Sequence, residues 1–307
     1  MQVFNTPPTL PYYSRPGLMT SPGKHAALIK DLPRDVAALA SVLHGLIIHE
    51  HLAGLYGVTL TDEDRASVHV RPAGDLLGLI AARDSRPLSE PREPDARLPG
   101  NCRHFTVLMV TMLRAQGTPA RARCGFGGYF GNGLFEDHWV CEYWSASEQR
   151  WRLADAQIDA RQREIFTADF DLTDVPRDRF LIAGDAWARC RDGAADPGAF
   201  GLSLIKESGM WWIAGNLMRD AAALGNLELL PWDCWGAMPA PNAEIGPDEL
   251  VLFDRLAGYT RIADGAFDLL QQLCASDDRL TVPPAVLNAQ RQREEPLEAQ
   301  RQREEPP

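Results

Sequence analysis

Lysine is almost missing from this chain: Lys24, Lys30 and Lys206 stand against a total of 31 basic residues, the rest being arginine. The bias points to the base composition of a GC-rich genome and carries no functional message of its own. Basic charge is also in deficit, with 42 acidic residues and a formal net charge of −11. A phosphate-backbone partner needs clustered Lys and Arg, so a nucleic-acid partner is not expected. Paired cysteines are lacking too. The six thiols at 102, 124, 141, 190, 234 and 274 are widely spread with no C-x-x-C. That excludes a zinc knuckle and a dense disulfide framework, and they read as reduced thiols. No stretch approaches the ~20 apolar residues of a membrane span, and Met1 to Tyr13 lack the basic-then-apolar profile of a secretion signal. The expectation is a cytoplasmic protein with no membrane partner.

What is present begins with length. A chain of 307 residues can bury a sizeable core. The change of apolar period along it predicts an α+β fold, one compact unit with extensions. Residues 1–30, broken by Pro7, Pro8, Pro11, Pro16 and Pro22, read as an extended arm. Residues 31–96 read as an N-terminal helical region: Asp31 opens a helix whose apolar face runs through Val36, Leu39, Ala40, Leu43, Ile47 and Leu52. His44, His49, Glu50 and His51 lie on it and invite a metal reading. Their spacing does not match H-E-x-x-H, and His49 and His51 would point to different faces, so no metal and no cofactor are expected. Residues 83–99, rich in Pro, Arg and acids, read as a solvated loop.

The stretch Gly100-Asn101-Cys102-Arg103-His104-Phe105 is the most informative. Phe105, Leu108, Met109, Met112 and Leu113 fall on one helical face, Asn101 is a good cap, and Gly117 with Pro119 is a stop signal. The helix therefore starts at about Cys102, where free backbone N–H groups and the positive end of the dipole suit a nucleophile and its oxyanion. The bland alternative is a buried, inert thiol. His104 reads as a polar contact near the helix start.

After Pro119 the period changes to two. Ala120, Ala122, Cys124 and Phe126 alternate with Arg121 and Arg123, as in a half-buried strand. Gly125, Gly127, Gly128, Gly131 and Gly133 surround Tyr129 and Phe130 in what reads as a mobile loop near the site. Residues 137–144 and 151–155 form two further strands. His138 shares a face with Val140 and Glu142, and Asp155 with Trp151 and Leu153. A turn between Ala146 and Ser147 would set His138 directly opposite Asp155, with Cβ atoms ~4.5–5.5 Å apart. Asp137 and Asp159 are competing carboxylates. Residues 161–285 read as a C-terminal helical region, in which Trp211 and Trp232, with Trp139 and Asn101, are candidate walls of a substrate pocket. Large aromatics near a turn also serve as core plugs. Ala-Gln-Arg-Gln-Arg-Glu-Glu-Pro occurs at 289–296 and again at 299–306, so residues 286–307 are expected to be a disordered polar tail.

A thiol at a helix start, followed by His and Asp on neighbouring strands, has a chemical logic. The imidazole takes the thiol proton and later protonates a leaving group, while the carboxylate fixes its tautomer. The matching motifs are Gly-Asn-Cys at 100–102, Leu113 to Arg121, Asp137-His138-Trp139-Val140 with Glu142, and Trp151 to Asp155. Together they resemble the transglutaminase-like superfamily, whose fold is akin to that of papain-like cysteine proteases, over residues 97–160. The flanks resemble bacterial proteins carrying this domain. The resemblance implies a helix bearing the cysteine packed on an antiparallel sheet, with additional helices on either side. It implies Cys102 as nucleophile, His138 as base and acid, and Asp155 as orienting carboxylate. The activity implied is thiol-dependent acyl transfer, or amide or thioester hydrolysis, on a small-molecule or peptide substrate, with an amine as a possible acceptor. Two departures from the family pattern are Thr106, and Ala156-Gln157 after Asp155. A binding or scaffold protein without turnover, and a metal-dependent hydrolase near His49, are the alternatives.

Overall fold

The first long helix starts where Asp35 accepts a hydrogen bond from the Ala38 N–H, and α1 (Val36–Leu46) buries Leu39, Leu43 and Leu46. The expected continuation to Leu52 does not occur. Ile47–His49 (β1) instead pairs in parallel with Leu98–Gly100 (β2), His49 opposite Gly100. The β-branched Ile47 and Ile48 suit a strand, and their partner lies too far along the chain for a local pattern to reveal it. The computed structural model describes residues 7–131 and 133–297. Residues 7–30 are not a simple extended arm: Leu10–Tyr13 form a helical turn and Gly23–Ile29 a 3-10 segment. Tyr13 and Met19 are fully buried, and the Tyr13 hydroxyl donates to the Leu224 carbonyl at 3.1 Å. Proline breaks regular structure there, but the apolar side chains still anchor in the core.

The helix expected at Cys102 is present as α3 (Cys102–Ala115), preceded by α2 (Ala73–Arg83). Every residue of it from Cys102 to Arg114 is buried. Its side chains share one cluster with Leu39, Leu43, Leu76, Leu77 and Ile80 of the two earlier helices. The same cluster takes in Ala120, Ala122, Cys124, Trp139, Cys141 and Tyr143 of the sheet. A helix enclosed on all sides holds its first turn still.

The sheet contains β3 (Ala120–Gly127), β4 (Phe135–Ser145), β5 (Arg150–Ala154), β6 (Phe180–Ile182), β7 (Phe200–Leu202) and β8 (Glu207–Ser208). The strand order is β6-β3-β4-β7-β8, with β5 also on β4. β3 and β4 are antiparallel, Gly125 opposite His138. The other edge of β4 is shared: Phe135 and Glu136 pair in parallel with β7, and Cys141 to Ser145 pair antiparallel with β5. His138 lies in the interval between the two. A side chain on Gly125 would run into the Leu181 carbonyl oxygen at 2.1 Å, so glycine lets β6 close against the strand facing His138.

The half-buried reading of β3 is overturned, since all eight residues are buried. α4 (Ala183–Arg191) and α5 (Met210–Leu224) cover it, and α6 (Pro247–Arg261) and α7 (Phe267–Ser276) complete this side. Arg121 and Arg123 therefore need buried partners. Arg123 forms a two-pronged pair with Asp220 of α5, at 3.0 and 2.8 Å, and the Cys124 N–H donates to the same carboxylate at 2.9 Å. Glu142 accepts from Arg121 at 2.6 Å, Arg123 at 3.2 Å and Arg177 at 2.6 Å. Burial alone would raise the Glu142 carboxyl, but the three guanidiniums hold it well below the usual carboxylate range.

The polar tail also departs from expectation. β9 (Asp233–Cys234) pairs with β10 (Ala285–Asn288), which pairs in turn with β11 (Arg293–Pro296), so the first repeat is half of a hairpin. Its Glu295 is drawn in by Arg71, at 3.1 Å, and by Arg291 and Arg293, while Leu297 is buried after it. The second copy lies outside the described residues. Among the described residues no helix is long and apolar enough to cross a membrane.

Breaking a buried pair leaves its partner charged and unpaired, which costs about 3–5 kcal/mol. Asp220→Ala is therefore expected to lower unfolding stability by about 3–5 kcal/mol in urea titration. A loss below about 1 kcal/mol, the range of an exposed pair, would show that the Arg123–Asp220 pair does not secure α5 to the sheet.

Candidate active site

Asn101 has extended backbone and caps α3: its Oδ1 accepts from the Arg103 N–H at 3.1 Å, and its own N–H donates to His104 Nδ1 at 3.2 Å. The other ring nitrogen of His104 meets the Val70 carbonyl at 3.1 Å. Burial pushes this imidazole well below its ordinary value, so it serves as a neutral polar cap, the role its position suggests. The buried Arg103 guanidinium donates to the Arg71 carbonyl at 2.6 Å and the Glu228 carbonyl at 3.0 Å. Cys102, 8 % exposed, is thus flanked by two fully anchored side chains.

His138 Nε2 lies 2.8 Å from Asp155 Oδ2. The expected register is wrong by two residues, because Ser145 pairs with Arg150 and Cys141 with Ala154. The turn holds four residues, Gln149 taking the left-handed conformation at φ 52°. Asp155 falls just past the end of β5, where its N–H turns away to the Leu172 carbonyl at 2.8 Å. A shift of two preserves the face, and a diagonal pair is within reach of an imidazole and a carboxylate.

Two further groups hold the carboxylate. The Tyr129 hydroxyl donates to Oδ2 at 2.8 Å, and the Gln157 N–H to Oδ1 at 2.9 Å. Tyr129 was not identifiable as a site residue from sequence; only its place in the glycine-rich loop hinted at it. That loop is packed: Tyr129 is fully buried, and the Phe130 ring meets His138 edge-on at 5.0 Å between centroids.

Burial opposes charge on both partners, yet each charge stabilises the other. Desolvation would lower the His138 value, but the charge and hydrogen bond of Asp155, with a smaller electrostatic contribution from Cys102, raise it above the ordinary histidine range. Desolvation would likewise raise Asp155, and His138, Gln157 and Tyr129 reverse this. Burial and the Asp155 charge push the Tyr129 phenol well up, keeping it a donor.

The competing carboxylates are engaged elsewhere. Asp137 accepts from Trp212 at 2.7 Å, and Asp159 from Tyr56 at 2.7 Å and the Gln162 N–H at 2.9 Å. Three of the candidate wall residues have contacts of their own. Trp139 is 1 % exposed within the core beneath α3 and offers no surface to a ligand. Trp211 donates to the Ser208 carbonyl at 3.0 Å and packs edge-on against Trp212. Trp232 packs against His69 at 5.2 Å between ring centroids. Asn101 is beside Cys102, but its oxygen is used as a cap. Among the described residues no three His, Cys, Asp or Glu converge as a metal set.

Neither the curated proteins nor the solved structures searched contain a significant match to this chain. A family match does exist, and it begins earlier than residue 97. Residues 80–156 match the model of the transglutaminase-like superfamily, a span that takes in α3 and β3 to β5.

Proposed function

We propose that Cys102, His138 and Asp155 carry out thiol-dependent acyl transfer, or hydrolysis of an amide or thioester, through a thioester on Cys102. The observation that supports this reading is the paired imidazole: Asp155 is 2.8 Å from His138 Nε2, and Cys102 is among the groups that raise the proton affinity of the same ring. With Nε2 engaged, Nδ1 is the nitrogen left for the thiol. In this reading Nδ1 holds the proton taken from Cys102 and returns it to the leaving group, and Asp155 keeps the ring oriented. A water or amine, deprotonated by the same ring, then releases the acyl group. The papain-like placement of thiol, imidazole and carboxylate belongs to the same proposal, as do a small-molecule or peptide substrate and an amine acceptor.

Selective alkylation tests the nucleophile. Burial raises Cys124 and Cys141 well above the ordinary thiol range, and holds Cys190 and Cys274 up at about 11. Iodoacetamide at pH 6, followed by peptide mass spectrometry, should mark Cys102 first, with Cys102→Ala abolishing the fast phase. Equal or slower labelling at Cys102 would overturn the assignment.

The carboxylate has two consequences. Asp155→Asn keeps the side-chain volume but favours the wrong tautomer. Turnover should fall roughly 10–10³-fold, less than the ~10⁴-fold loss in a serine triad, because a thiol is intrinsically more acidic than a hydroxyl and needs less help in losing its proton. Stability supplies the second readout. His138 is raised, so its contribution is complete below the ordinary ~6.5 and fades as pH climbs through the raised value; Asp155 is lowered, so its contribution is complete above ~3.9 and fades on acidification. The melting-temperature advantage of the native protein over Asp155→Asn should thus peak between about pH 4 and 6.5 and shrink by about pH 9. An advantage that grows across that interval would contradict the pairing.

A further inference from the structure

β1 brings one more imidazole to this place. His49 lies at its end, opposite Gly100 of β2, which precedes Cys102 by two residues. The Glu50 N–H closes onto the Gly100 carbonyl at 2.8 Å, fixing this end of the pairing. The preceding Ile47 and Ile48 and the following Glu50 are buried, and His49 itself is largely buried with part of its surface open. The His49 and His51 rings are 5.6 Å apart between centroids, and the charges of His138 and Asp155 also act on His49.

The tautomer of His49 is determined by its neighbour. The His51 N–H donates to His49 Nδ1 at 3.2 Å, so the proton of the neutral ring resides on Nε2. Burial, followed by repulsion from His51 and His138, holds the ring down at about 3, and it is neutral across the working range. Nε2–H has no hydrogen-bond acceptor among the described residues. Nor does the Cys102 backbone N–H, which the helix leaves free at its first position.

We infer that His49 supplies the second donor to the oxyanion formed when Cys102 attacks an acyl carbonyl, the first being the backbone N–H of Cys102. This rests on Cys102 as the nucleophile. In the step, the sulfur pair forms the S–C bond while the carbonyl π pair moves onto oxygen, where the two N–H groups meet it. Collapse restores the carbonyl and expels the leaving group with its bonding pair, and the proton held on His138 goes to that group. A neutral imidazole suits this task because it donates without giving up its proton.

Two reagents with different electronic demands test the inference. Attack on p-nitrophenyl acetate builds an oxyanion, whereas alkylation by iodoacetamide displaces iodide and builds none. His49→Leu should slow the acylation burst at Cys102 by about 10²-fold while leaving its alkylation rate within about twofold, and His49→Gln, whose amide N–H reaches the Nε2 position, should restore most of the burst. His49→Asn, whose amide falls short of that position, should behave like His49→Leu and replaces it should the latter not fold. An unchanged burst in His49→Leu and His49→Asn, or an equal slowing of both reactions, overturns the role. Failure of the unaltered protein to react with either reagent at Cys102 overturns the nucleophile assignment itself, and the His49 role with it.

Discussion

A carboxylate with 2 % of its surface exposed must be compensated where it stands, and Asp155 is the constraint on which this site depends. Its two oxygens receive a tyrosine hydroxyl, a backbone N–H and an imidazole. The three donors come from separate segments: the glycine-rich loop, the chain just after β5, and the middle of β4. Satisfying one buried charge therefore assembles three pieces of backbone around His138. The same charge raises the proton affinity of that ring in surroundings that would otherwise lower it. The packing around His138 and the protonation of its ring share a single electrostatic cause.

A second set of buried charges connects the distant parts of the chain to this frame. Arg123 and Asp220 join α5 to β3, and Glu142 collects three guanidiniums behind β4. At the other end, Glu295 of the terminal hairpin and Asp233 both pair with Arg71, whose carbonyl accepts from Arg103, next to Cys102. The first copy of the polar repeat thus reaches the start of the cysteine helix through two arginines. Fully compensated networks of this kind constrain geometry more than they add net stability.

Much of this was legible in the residues. The 3,4-spacing from Phe105 to Leu113 and the Asn101 cap placed the start of the cysteine helix at about Cys102, where it lies, and period-two alternation set His138 and Asp155 on one face. The register was not legible. It depends on a four-residue turn in which Gln149, a residue with no preference for positive φ, adopts the left-handed conformation. Parity protected the conclusion from that error, since a slip of two keeps the face. The burial of Arg121 and Arg123 was hidden because Asp220 is about a hundred residues away, and local alternation reports nothing about what packs on the far side. His49 was hidden by a helical pattern that ran past its true end, which only the long-range pairing with Gly100 interrupts. Tyr129 gave no signal beyond a place among glycines.

The protonation state of His138 tests the account most directly. Nitrogen-15 NMR of the histidine-labelled protein distinguishes a doubly protonated ring from a neutral one. The account predicts that His138 keeps both ring protons at pH 7.5 in the native protein and titrates well above the ~6.5 of an ordinary histidine. A His138 ring that is already neutral at pH 7.5 would contradict it, for Asp155 would then not be supplying the charge that readies the imidazole for Cys102.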